Sequence, residues 1–74
     1  MEQYLKKTGE AFGPDEVIVL SDALERAVRA LAIADHPVTE DLREAIAGFI
    51  VARARGGERD VSVLVDAAIV RFRL

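Results

Sequence analysis

The chain has 74 residues, 51% of them hydrophobic, with a formal net charge of −3, no cysteine and one histidine. That length allows one small domain, whose own core supplies about 3–5 kcal/mol of stability. Disulfides and thiolate metal sites are excluded, and a lone His36 argues against a histidine-based zinc site, so tight helix packing or a partner subunit must make up the difference.

Residues 1–13 are read as a polar tail, with Gly9 and Gly13 interrupting any period. A single helical turn around Glu2 to Lys7, anchored by Tyr4 and Leu5, is the alternative to fraying. Residues 14–74 are read as one helical domain with no internal repeat.

The spacing predicts a first long helix over residues 14–34. Pro14 suits the first helical position, where its missing N–H costs nothing, and Asp15 and Glu16 face the positive end of the helix dipole. Val17, Leu20, Leu24, Val28 and Leu31 form one apolar stripe, with Asp22, Glu25, Arg26 and Arg29 opposite. Pro37 disfavours helix at His36 and sets the end near Asp35.

A second helix is predicted over 40–55, with Thr39 as its N-cap and Glu40 and Asp41 in its first turn. Leu42, Ala45, Ile46, Phe49 and Ile50 give its core stripe, Arg53 and Arg55 suit its negative end, and Gly56 or Gly57 closes it in the left-handed conformation. A third follows over 61–72. "VSVLV" alone would pass for a strand, but Asp60 as N-cap and the recurrence of Val61, Leu64, Val65, Ala68 and Phe72 favour helix. The expected fold is therefore all-α, a three-helix bundle with short connections.

Within the second helix, "AIAGFIVA" is apolar nearly all the way round, which requires cover on more than one side. Val19, Ala23, Ala30 and Ile33 add a second apolar stripe to the first long helix. Gly48 lowers helix propensity by about 1 kcal/mol relative to Ala, a cost that close backbone approach by another helix would offset. A homodimer through these two helices is expected, with Val19, Ala23, Ala30, Ile33, Ala47, Gly48 and Val51 as its surface.

Chemistry is harder to place. "ARARGGERDV" holds three arginines and two glycines, but lacks the lysine and spacing of a phosphate-binding loop. It reads as a corner, with Glu58 and Arg59 as exposed loop charges. Helix–corner–helix is also the outline of a helix-turn-helix, so a nucleic-acid-binding regulator is the alternative function. Against it, the reading helix would begin with Asp60, Val61, Ser62, Val63, Leu64 and Val65, of which Ser62 alone suits a base edge. The pI near 5.0 also lacks the basic footprint. Residues 1–52 carry five basic against ten acidic side chains, and residues 53–74 five arginines against three acids. An asymmetry this mild can orient one subunit against another.

His36 lies in a polar loop, and the pairs Glu40/Glu44 and Asp22/Glu25 have arginines nearby, so all three are read as solvated charges. Asp66, in a mostly apolar segment, is expected to meet an arginine across an interface. No catalytic residue, cofactor or metal ligand is assigned. The longest apolar run, residues 45–52, falls far short of the ~20 residues of a membrane span, and the N-terminus does not read as a secretory signal. A cytoplasmic setting with no membrane partner is expected.

The stretch "AIAGFIVARARGGERDVSVLVDAAIVRF", residues 45–72, resembles the C-terminal half of short uncharacterised bacterial all-helical proteins. In these, one helix ends in a G-E-R-D-type corner and an alanine-rich helix follows. The resemblance implies an all-α fold and a bacterial origin, and it brings no activity and no functional residue. The functional expectation is a small non-enzymatic protein–protein interaction or regulatory module that self-associates, with an unknown protein as a further possible partner.

Overall fold

The structure, a computed structural model, describes residues 1–8, 12–33 and 38–73. They form α1 (Glu2–Thr8), α2 (Pro14–Ile33), α3 (Glu40–Arg55) and α4 (Val61–Phe72), and no strand is found among them. The expected bundle of three helices is corrected to four. The additional one is the N-terminal segment that was read as a tail with a possible single turn. The expected end of α2, with Ala34 and His36, lies outside the described residues.

Local chemistry explains where α3 and α4 begin. The Thr39 hydroxyl accepts from the Leu42 amide at 3.1 Å, and the Asp60 carboxylate accepts from the Ser62 and Val63 amides at 2.9 and 3.3 Å. Each side chain satisfies amides that the first helical turn leaves without partners. At the start of α2, Glu16 reaches back and accepts from the Gly13 amide at 3.0 Å, which is the acidic half of a capping box.

At the end of α3 the Gly57 amide donates to Ala54 O and the Glu58 amide to Arg53 O. That is a Schellman closure, and of the two candidate glycines it is Gly57 that takes positive φ, at 109°. "VSVLV" is helical, as its cap and period require.

The core forms where α2 meets α3 and α4. Leu20, Leu24 and Leu31 of α2, Ile46 and Ile50 of α3, and Leu64 of α4 are all but fully buried. Between them sit alanines: Ala23 and Ala27 on α2, Ala47 and Ala54 on α3, and Ala68 on α4. The expected stripes hold for their large members. On α3, however, Ala45 is exposed, while Ala47, Val51 and Ala54 are buried on the other side.

The cover on that other side includes α1. A seven-residue helix is too short to be stable alone, so its order depends on packing. Leu5 is buried, and Tyr4 stands over Gly48, where an added Cβ would lie 2.8 Å from the Tyr4 hydroxyl oxygen. The neighbour at Gly48 is thus the chain's own N-terminal helix, which reaches it through the Tyr4 side chain and not by the close backbone approach that was expected. With all four helices in place the Cα radius of gyration is 11.4 Å, against about 11 Å for a compact chain of this length.

This contact generates a double-mutant test. In a Tyr4→Phe background, Gly48→Ala should stabilise the fold by about 1 kcal/mol through helix propensity. With Tyr4 intact that gain should vanish or reverse in urea denaturation, because the new methyl displaces the hydroxyl. An equal gain in both backgrounds would show that Tyr4 does not fill the space over Gly48.

Candidate interaction surface

The residues expected to form a self-association face are dispersed by the fold. Ala23, Ala47 and Val51 are each no more than 2% exposed within the single chain, and Gly48 faces Tyr4. Those four take part in packing within the single chain. Val19 and Ala30 are half-buried, and Ile33 is 81% exposed near the end of α2.

The exposed large apolar side chains among the described residues are Ile18, Ile33, Val63 and Val70. Ile18 and Ile33 are fifteen positions apart on α2, and isolated apolar side chains are ordinary on a protein surface. Val63 and Val70 differ, because both line one open groove between α3 and α4. They are 47% and 66% exposed and stand seven positions apart, two helical turns on one face.

Ala67 lies between them, and Phe49 of α3 provides the groove's aromatic wall. Phe49 is held edge-on against Phe72 of α4, with ring centroids 5.7 Å apart and planes at 86°. Groove and helix pairing therefore share a side chain.

Three charges rim the groove: Arg53, Asp66 and Arg71. The Arg53 guanidinium lies over the Phe49 ring at 5.4 Å from its centroid, and that of Arg71 over Phe72 at 5.4 Å. Asp66 forms no ion pair with any described residue. Sequence reading singled out Asp66 but missed the groove, since Phe49 and Val63 become neighbours only when α3 and α4 pack.

The corner between α3 and α4 does more than the sequence suggests. Arg59 is an exposed loop charge, as read, but its guanidinium also connects three segments. Its Nη2 and Nε donate to Glu16 Oε2 at 2.6 and 3.0 Å, and its Nη1 donates to Glu58 O at 3.0 Å and to Ala54 O at the end of α3. The same guanidinium lies 5.8 Å from the Phe12 ring centroid. Its partner Glu16 is 43 positions away, so no local sequence signal could have announced the pair.

The remaining polar groups take structural roles. Arg26 bonds Asp22 one turn before it at 3.2 Å, and Arg43 of α3 pairs with Glu25 of α2. The Arg43 hydrogen bond holds the Glu25 carboxyl below its ordinary range. Glu40, Arg43 and Glu44 line a cleft of about 270 Å³ beside Tyr4. Among the described residues no three His, Cys, Asp or Glu side chains are grouped to hold a metal ion, and His36 lies outside those residues. No described helix is long and apolar enough to cross a membrane.

No protein-family model matches the chain, and no curated protein or solved structure does either.

The Glu16–Arg59 pair yields a pH test. The Gly13 amide and the Arg59 guanidinium hold the Glu16 carboxyl below its ordinary range. A lowered folded-state pKa adds stability above the unfolded value, and that stability is lost as pH falls through the folded value. Glu16→Gln should therefore lower the melting temperature at and above about pH 5, with the two curves converging in stronger acid. A gap that persists unchanged into strong acid would contradict this. The pair is partly solvated, at 42% and 38% side-chain exposure, so added salt should also narrow the gap.

Proposed function

We propose that this chain is a small non-enzymatic protein–protein interaction module that self-associates as a homodimer and acts as an accessory or regulatory subunit. The observation that carries the reading is the α3–α4 groove. Val63, Val70 and Phe49 present apolar surface in one place, rimmed by Arg53, Asp66 and Arg71. An apolar centre with a charged rim is the composition of a protein-binding patch.

The α4 surface favours this over nucleic-acid reading. A helix laid in the major groove needs side chains that hydrogen-bond base edges beside groups that tolerate phosphate. Exposed α4 instead offers Ser62, Val63, Asp66 and Val70 along its length, with Arg71 at its far end, so Ser62 is again the one side chain there that suits a base edge. A cytoplasmic, bacterial setting belongs to the same reading. It rests on the cysteine-free, charged composition and on the resemblance of residues 45–72.

Light scattering on the purified protein tests self-association. The weight-average mass should rise from 8.1 kDa toward twice that value as concentration increases through the micromolar range. A constant 8.1 kDa at high micromolar concentration would rule self-association out. A gel shift with random duplex DNA at low salt should show no complex at micromolar protein. A shifted band there would favour the nucleic-acid alternative instead.

A further inference from the structure

The occupant of the α3–α4 groove can be specified further, on the proposed reading that the chain self-associates. We infer that the groove receives α4 of a second copy, running parallel to the first about a twofold axis, with Asp66 of each copy meeting Arg53 and Arg71 of the other.

The helix period places the groups. At 100° per residue, Val63 and Val70 fall 20° apart and define a line along the exposed side of α4. Asp66 stands about 60° to one side of Val63, and Ala67 and Arg71 stand about 40° and 80° to the other. Arg53 belongs to the Arg71 side, because it also borders the neighbouring hollow formed with Val63, Leu64 and Ala67, which Asp66 does not line. The groove is therefore acidic along one edge and basic along the other.

That arrangement selects both the partner and its direction. A twofold axis parallel to α4 carries the acidic edge of one copy onto the basic edge of the other, twice over. Asp66 then faces Arg53 at a similar height and Arg71 five residues along, about 7.5 Å at 1.5 Å per residue. The extended arginine side chain spans that offset. An antiparallel pair would set Asp66 beside Asp66 and the arginines beside arginines.

In the parallel pair Val63, Ala67 and Val70 occupy the seam, and the charges flank it as e and g positions flank a coiled coil. Ala67 at mid-seam lets the backbones approach. An identical chain completes every pair, because each copy carries both members. The seam uses one face of a 12-residue helix, so the dimer should be weak and dependent on concentration.

Charge reversal tests this directly, using sedimentation equilibrium of the full chain and circular dichroism to verify helix content. All three positions are exposed, so the variants are expected to fold. Asp66→Arg alone, and Arg53→Glu with Arg71→Glu in a second variant, should each weaken dimerisation at least tenfold, since like charges then meet. An equimolar mixture of the two variants should recover dimers, because every pair across the seam is again opposite in sign.

If wild type dimerises and both variants do so equally well, the interface lies elsewhere, and the self-association reading survives without this one. If both variants are monomeric and their mixture stays monomeric, the pairing is wrong. A wild type that remains monomeric at every concentration defeats this inference and the proposed function together.

Discussion

The small side chains at the points where the helices meet set the scale of this fold. Ala23 and Ala27 on α2, Ala47 and Ala54 on α3, and Ala68 on α4 are each no more than 2% exposed. A methyl group at a crossing keeps two helix axes close, within the 8–10 Å range that depends on the contact side chains. The smallest principal extent of the molecule is only 16 Å, consistent with closely packed layers of helix. Six larger aliphatic side chains, Leu20, Leu24, Leu31, Ile46, Ile50 and Leu64, then fill the space that the alanines leave between the helices. A larger residue at an alanine position would push the layers apart and open that packing.

The helix boundaries of α3 and α4 were legible because capping is local. Thr39, Asp60 and Gly57 each act on amides or carbonyls within a few residues, and such motifs are written in consecutive letters. The large core residues were legible for the same reason, since period alone selects a face. What the sequence concealed was which surface covers the second side of α3. Its near-continuous apolar character was visible, and the need for cover was inferred correctly. The cover includes α1, a mostly polar segment that Gly9 and Gly13 just after it disguise as part of a tail, and Tyr4 over Gly48 is a contact between residues 44 positions apart.

The groove illustrates the same division. Asp66 was conspicuous as an acid in an apolar stretch, and Val63 and Val70 fell outside the stripe that the helical period assigns to the core. Only the packed pair of α3 and α4 reveals that this face points outward, with Leu64 and Ala68 turned to the opposite side. Phe49 and Phe72, locked edge to face, fix the angle at which the two helices present it. Arg53 and Arg71, each resting on one of those rings, are held close to the apolar surface by cation–π contact.

The Arg59–Glu16 contact shows what an ion pair can and cannot hold in a chain this small. Joining positions 43 residues apart closes a loop whose length-dependent entropy cost is about 3 kcal/mol. A partly solvated ion pair cannot supply that. The apolar faces of the enclosed helices must therefore hold the Gly57 corner at the head of α2, where the guanidinium meets Glu16, Ala54 and Phe12. The contact is a fastening on an arrangement that it could not maintain by itself.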